Sequence, residues 1–295
     1  LEVDSRGAVV VDDVQRTSDP AIFAVGDVAA KRDAVSGESV VVPLAQTANR
    51  HGRLVADVIT GRRTSAAPVL GTAVVGLFGL TAAVTGWNEK RLRAAHRPFR
   101  AIHSHPAHHA GYYPGAETMA LKLLVDPHTD QILGAQGVGG AGVDKRIDVI
   151  ATAMKGGLRA SELADLELAY APQFGSAKDP VTMIGMIADN LAVGLSSTVQ
   201  WHEVAGELED GTFFLDVRTP GEFAGGALPK AVSIPLDELR ARHAEIPAGR
   251  VVVNCAVGQR GHTAAMLLRQ LGHDEVVNLD GGYRTWSAAT RERSA

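Results

Sequence analysis

The run of apolar and polar positions divides the chain into three stretches of different texture. In the last, Arg250-Val251-Val252-Val253-Asn254 is a short continuous apolar run, the pattern of a strand buried on both faces. Residues 263–271 then space their apolar positions for a helix that Gly272 stops. The middle stretch groups three predicted strands (72–78, 119–125 and 132–138) with two predicted helices, 144–155 and 160–166. Such grouping predicts α+β layers rather than a doubly wound unit. In the first stretch, residues 17–29 predict a buried strand ending in Gly26-Asp27, and residues 42–53 start a helix leading to Gly61. Residues 70–86 are uncharged over 17 positions, at the low limit for crossing a hydrocarbon core. Glycines and threonines dilute that segment, so a buried strand followed by a short helix is expected there, and no membrane span.

A length of 295 residues suits two or more domains. Hydrophobic residues at 45% and charged residues at 21% are ordinary for a soluble globular protein. A net charge of −4 gives no electrostatic basis for binding nucleic acid or an anionic membrane. One cysteine excludes an intrachain disulfide framework and fits a reducing cytoplasm. The chain opens on Leu1 inside what reads as a strand, as a fragment of a longer polypeptide would.

That single cysteine, Cys255, stands at the strand-to-helix turn and is followed by Ala256-Val257-Gly258-Gln259-Arg260. Backbone N–H groups and the positive end of a helix converge at such a turn. With Arg260 nearby, the thiol is expected to ionise below its ordinary value of about 8.5 and to hold an anionic sulfur. The competing reading is a small buried cysteine at a strand end, common for free Cys.

Two other patterns imitate sites without completing them. Gly137-Val138-Gly139-Gly140-Ala141-Gly142 matches the dinucleotide fingerprint, but no second strand ending in an acid follows about 20 residues on. His103, His105, His108 and His109 lie within seven residues. No nearby Cys or acid completes a ligand set and Pro106 breaks any common face, so no metal is expected. They read instead as a polar approach to the Tyr112-Tyr113 loop.

The last third resembles a rhodanese (sulfurtransferase) domain. Phe213-Phe214-Leu215-Asp216-Val217-Arg218 with Glu222-Phe223, the run Gly226–Pro235, and Leu279-Asp280-Gly281-Gly282-Tyr283-Arg284-Thr285-Trp286 carry the resemblance together with the Cys255 loop. Two positions depart from it: Ala227 stands where the family usually has His, and Lys230 where it usually has Gly. Four residues separate Cys255 from Arg260. The related cysteine phosphatases need a loop one residue longer to wrap a phosphate, so the resemblance implies a persulfide on Cys255 rather than phosphate hydrolysis. Asp216 and Arg218 read as a structural ion pair beside the loop.

The rest resembles the pyridine nucleotide-disulfide reductases. Gly26-Asp27 looks like their second flavin motif, and Val42-Pro43-Leu44-Ala45-Gln46-Thr47-Ala48-Asn49-Arg50 like the helix whose N-terminus points at the flavin. Gly111-Tyr112-Tyr113-Pro114-Gly115 and Tyr170-Ala171-Pro172-Gln173-Phe174 with Lys178-Asp179-Pro180, followed by a rhodanese module, narrow the resemblance to coenzyme A-disulfide reductases. It implies a remnant of an FAD-binding domain (1–68), an α+β dimerisation domain of three strands plus helices (69–192), and an α/β rhodanese-like domain with a parallel sheet (197–295). It implies flavin contacts at Gly26, Asp27, Ala45, Tyr170 and Phe174, coenzyme A contacts at Asn49, Arg50 and Lys178, and a disulfide site lined by one or both of Tyr112 and Tyr113. The rhodanese resemblance implies Cys255 and Arg260 as the sulfur-transfer residues, with Ala256, Val257, Gly258 and Gln259 as the persulfide loop. The implied protein is a cytoplasmic homodimer. It uses FAD and NAD(P)H to reduce coenzyme A disulfide, coenzyme A persulfide or polysulfide. The FAD site is only partly present in this chain, which by itself is not expected to bind FAD tightly or to reduce a disulfide. The alternative is a sulfur carrier on a non-catalytic dimerisation scaffold.

Overall fold

The computed structural model describes residues 1–291; residues 292–295, the tail of the expected 197–295 domain, lie outside it. The first unit holds a two-stranded antiparallel ribbon, β1 (Lys31–Arg32) with β2 (Ser39–Val40), and helix α1 (Ala45–Ile59). Helix α1 packs on a 3₁₀ turn at Gly26–Val28. The strand expected over 17–29 does not form. Arg16 and Phe23 make one isolated bridge, Val9 and Ala29 another, and Ile22, Val25 and Val28 are exposed. An apolar run becomes a strand only where neighbours take up its N–H and C=O groups along its length.

The middle unit is an antiparallel sheet of five strands among the described residues, not three: β3 (Ala73–Leu77), β4 (Leu80–Gly86), β5 (Arg100–Ser104), β6 (Met119–Val125) and β7 (Ile132–Gly139), in the order β3-β4-β7-β6-β5. The helix expected after β3 is a second strand. Phe78 (φ 50°) and Gly79 (φ 77°) form the two-residue connection, both left-handed as a type I′ hairpin requires. An apolar Phe in place of the usual Asn or Asp hid that turn. Strand β3 is exposed rather than buried.

Helix α2 (Glu89–Ala94) leads into β5, and α3 (Val143–Gly156) covers β4 and β7. The predicted helix over 160–166 is a 3₁₀ segment, Ser161–Asp165. It packs on α4 (Pro180–Ala192), a helix the apolar pattern had not marked, although Asp179 at its N-cap and Pro180 at its first position are start signals. Ile102, Leu121, Leu123, Ile147 and Ile184 meet in the core between sheet and helices.

The last unit alternates strands and helices: β8 (Thr198–Val199), α5 (Val204–Glu209), β9 (Phe213–Asp216), α6 (Pro220–Ala224), β10 (Val232–Ser233), α7 (Leu236–Arg242), β11 (Val251–Asn254), α8 (Gln259–Gln270), β12 (Val276–Leu279) and α9 (Gly282–Arg291). Its strands are all parallel, ordered β10-β9-β11-β12-β8. On β11, Val251 and Val253 pack with Leu268 on one face while Val252 packs with Phe214 and Trp286 on the other. Burial on both faces is why this strand reads as an unbroken apolar run. The strand order reverses between β9 and β11, and a parallel sheet places its ligand crevice beyond the strand ends at such a switch point. Cys255 is the first residue past the end of β11. No helix among the described residues is long and apolar enough to cross a membrane.

Candidate functional site

The loop from Cys255 to Gly258 is held from below. The N–H of Tyr283 donates to the Cys255 carbonyl at 2.8 Å and that of Arg284 to the Ala256 carbonyl at 3.0 Å. In a planar trans peptide the N–H points opposite to the C=O. The N–H groups of Ala256 and Val257 are therefore turned away from α9, toward the other side of the loop. Gly258, left-handed at φ 98°, closes the loop at the head of α8 and donates its N–H to Cys255 Sγ at 3.1 Å. Its carbonyl accepts from Asn278 Nδ2 at 3.0 Å. Gly282 (φ 62°) makes this closeness possible: a Cβ there would stand 2.6 Å from the Cys255 carbonyl oxygen and 2.7 Å from the Val257 nitrogen.

Cys255 itself is fully buried, so the sulfur sits beneath the loop rather than on the surface. Arg260 does not lie free over it. Its guanidinium grips Glu222 through two bonds of 2.8 and 2.6 Å, and that contact holds the Glu222 carboxyl down at about 2. The Glu222 carboxylate in turn raises Arg260, with a smaller upward push from a Cys255 thiolate. Glu222 also forms the capping box of α6 with Thr219. A fixed cation is thus set beside the loop by a short helix.

Asp216 and Arg218 form a buried ion pair, Nη2 to Oδ2 at 2.7 Å, with Asn254 Nδ2 adding a bond at 3.0 Å. Arg218 also lies over the Tyr283 ring at 4.3 Å. The pair ties β9 to the helix that floors the loop. Lys230 adopts φ 58°, the left-handed region, which explains why this position suits Gly.

The loop opens on a cavity of about 540 Å³ between the middle and last units, lined by His105, Lys178, Asn190, Val257, Gly258 and His262. Lys178 is thereby brought to the Cys255 loop. Asn49 and Arg50 are not: they line a separate cleft of about 1020 Å³ with Lys155. Tyr112, Tyr170 and Phe174 are exposed, and the Tyr112 and Tyr170 hydroxyls lie 3.2 Å apart. Tyr113 packs edge-on against buried His109.

Both loops carrying these tyrosines hang on a residue the sequence did not mark. Arg146, 1% exposed, donates to Asp179 at 2.8 Å and to the His108 carbonyl at 2.7 Å. No local pattern distinguishes it from a surface arginine on α3. Gly26 is left-handed (φ 79°), and buried Lys31 pins its turn by donating to the carbonyls of Gly26 and Ala29 at 2.7 and 2.8 Å. Asp27 and Ala45 beside it are exposed. A glycine turn, an exposed carboxylate and a helix N-terminus facing solvent fit the ribityl chain and ring edge of a flavin.

The glycine-rich segment at 137–142 is a packing device. A Cβ at Gly137 would meet Val143 at 2.8 Å, one at Gly139 would meet Met119 at 2.9 Å, and one at Gly142 would meet Arg146 at 2.6 Å. The histidines are not an approach to Tyr112-Tyr113 as a group. His103 Nδ1 reaches Asp280 Oδ2 at 2.5 Å and His105 Nε2 reaches Thr285 Oγ1 at 2.7 Å, both across the seam to the last unit. Burial pushes His105 down to about 4, so it is neutral at pH 7. Among the described residues no group of three or more His, Cys, Asp or Glu is placed to hold a metal ion.

Three family models match the chain: pyridine nucleotide-disulphide oxidoreductase over residues 1–52, the dimerisation domain of the same family over 72–180, and rhodanese-like domain over 200–289. Coenzyme A disulfide reductase of Staphylococcus haemolyticus is 36% identical over 192 residues, 65% of this chain and 43% of that protein. Reduced CoADR-RHD of Bacillus anthracis superposes with a TM-score of 0.96 at 43% identity, covering 99% of this chain and 53% of that one. An NAD-dependent persulfide reductase from A. fulgidus superposes at 0.88 and 37% identity, covering 97% and 52%. The chain thus spans about half the length of these solved relatives and less of the curated one. With two models of one family in series and the rhodanese-like match behind them, the chain belongs to the pyridine nucleotide-disulphide oxidoreductases that carry a rhodanese-like domain.

Proposed function

We propose that this chain is the C-terminal part of an FAD-dependent NAD(P)H reductase of coenzyme A disulfides, coenzyme A persulfides or polysulfides, in which Cys255 carries sulfane sulfur. The observation that carries the reading is the loop itself: two carbonyls drawn down onto α9, the intervening N–H groups facing the other way, and Gly258 N–H already on Sγ. Such a ring of donors stabilises one anionic terminal sulfur. The Cys255 thiolate attacks the outer sulfur of a donor R–S–S⁻ or of thiosulfate. The donor's S–S bond breaks, R–S⁻ or sulfite leaves, and Cys255 holds a persulfide. An acceptor thiolate or cyanide then takes the terminal sulfur and restores the thiolate.

Arg260, fixed by Glu222, supplies positive charge beside this step, and Lys178 across the cavity suits a phosphorylated thiol carrier such as coenzyme A. FAD, when bound, supplies two-electron exchange between the nicotinamide and sulfur. On this chain Gly26, Asp27 and the α1 N-terminus at Ala45 would hold its ribityl chain and ring edge. Tyr170 and Phe174, exposed beside Tyr112 and Tyr113, are offered to the flavin site of a partner in a two-fold homodimer. Asn49 and Arg50 extend the coenzyme A surface from a separate cleft. The lone cysteine and the resemblance together support a cytoplasmic enzyme.

The test is sulfur transfer from thiosulfate to cyanide by the full-length protein, with Cys255→Ser as the control. Transfer should vanish in the variant, and NAD(P)H-dependent sulfide release should accompany it in the native enzyme. Cys255-dependent transfer without any sulfide release would make the protein a carrier. No persulfide adduct on Cys255 after exposure to donors would overturn the reading.

A further inference from the structure

Strand β5 is an edge strand, paired with β6 on one side only. Its outward-facing backbone groups would ordinarily be left to solvent or to another strand. Here side chains of the last unit take them. Gln200 Nε2 donates to the Ala101 carbonyl at 3.0 Å, and the His103 N–H lies 3.1 Å from each oxygen of Asp280. Residues 101 and 103 share one parity, so their N–H and C=O groups point to the same side. The His103 ring adds its Nδ1 to Asp280 Oδ2 at 2.5 Å. Because the partner is a carboxylate, Nδ1 carries the proton and donates.

Asp280 is 4% exposed, and among the described residues every hydrogen bond to its carboxylate comes from His103. The two residues that follow it, Gly281 and Gly282, run directly beneath the sulfur loop. A Cβ on Gly281 would stand 2.8 Å from His103 Cβ, and one on Gly282 2.6 Å from the Cys255 carbonyl oxygen. Between His103 and the Cys255 loop there is therefore one turn of backbone, against which the Thr285 side chain also packs, its Oγ1 donating to the Gly281 carbonyl at 3.1 Å. Asn278, two residues before Asp280, holds the Gly258 carbonyl at the other end of the loop.

We propose that His103, a residue of the reductase-side sheet, is a positioning residue for the sulfur-carrying loop and acts through Asp280. This rests on the sulfur-transfer reading of Cys255. The imidazole fixes the carboxylate, the carboxylate fixes the Gly281–Gly282 turn, and that turn sets where the Cys255 and Ala256 carbonyls are held. The N–H groups that face the sulfur are set by the same peptide planes. The middle unit is then part of the sulfurtransferase site and not only its neighbour.

The experiment compares His103→Leu, which keeps bulk but has no donor, with His103→Asn, whose amide nitrogen stands where Nδ1 stood, in the full-length protein. Gln200→Ala serves as a control that loosens the same seam without touching Asp280. Three quantities are read: kcat and KM for sulfur transfer from thiosulfate to cyanide, the rate of Cys255 alkylation by a small reagent across pH, and the melting temperature. His103→Leu should lower kcat about tenfold, the order expected for losing a hydrogen bond to a charged group. It should also move the alkylation profile, while KM stays within about twofold. His103→Asn should recover most of both, and Gln200→Ala should leave both native per folded molecule. Where His103→Leu fails to fold, His103→Ala is read in its place. The inference is overturned by native kcat and a native alkylation profile in the donor-less variant, by an Asn variant no better than Leu, or by an equal loss in Gln200→Ala. Absence of transfer in the native protein would instead overturn the sulfur-transfer reading, and the alkylation profile would still report on the loop.

Discussion

Replacing Gly282 by alanine separates the steric role of this position from the conformational freedom of glycine. Gly282 and Gly272 both sit in the last unit with left-handed backbone, at φ 62° and 94°. An alanine at either costs about 1–2 kcal/mol of backbone strain. They differ in what the new methyl meets. At Gly272 there is nothing within 4 Å, whereas at Gly282 it would lie 2.6 Å from the Cys255 oxygen, 2.7 Å from the Val257 nitrogen and 2.8 Å from the Ala256 carbonyl carbon. All three are backbone atoms, so no side chain can swing aside. Relief to an ordinary 3.4 Å contact moves the loop or α9 by about 0.8 Å. Such a shift stretches the two bonds that draw the loop down, now 2.8 and 3.0 Å, beyond useful length. A misplacement near 1 Å at a reacting centre costs on the order of 10²-fold in rate. Urea unfolding and cyanide-dependent sulfur transfer, measured on the same preparations, distinguish the two. Gly272→Ala should lose about 1–2 kcal/mol of stability and keep native activity per folded molecule. Gly282→Ala should lose more stability and about 100-fold in transfer. Equal activity per folded molecule in both variants would refute the claim that this contact shapes the loop.

The seam should respond to acid through His105, whose folded value of about 4 lies below its ordinary 6.5. Between those values the unfolded chain binds a proton that the folded chain refuses, so stability is complete above pH 6.5 and falls as pH drops toward 4, by up to about 3 kcal/mol. A stability profile by urea titration that stays flat over that window, or is unchanged in His105→Gln, would count against it. The full-length protein should sediment as a dimer at micromolar concentration. Exposed Val74, Val75, Leu77 and Phe78 on β3 and its turn leave an apolar surface of the kind a partner covers, and a monomer would argue against the homodimer.

Sequence alone determined the parts of this protein that depend on local pattern. The unbroken apolar run of β11, the stop at Gly272 and the Cys255-to-Arg260 spacing placed the loop between strand and helix because a parallel strand buried on both faces admits no polar alternation. Tertiary structure decided what depends on partners distant in sequence. The segment at 17–29 has the composition of a strand but only isolated bridges to its neighbours, and the 70–86 segment turned back at Phe78-Gly79 instead of entering a helix. The commitment of Arg260 to Glu222 and the bond from His103 to Asp280 across 177 residues left no trace in spacing. The same is true of Arg146, which holds both tyrosine loops. Hydrogen-bond and charge pairing between side chains far apart in the chain follows from how the sheets and helices stack, and a linear pattern of apolar and polar residues does not encode which charged group ends up facing which.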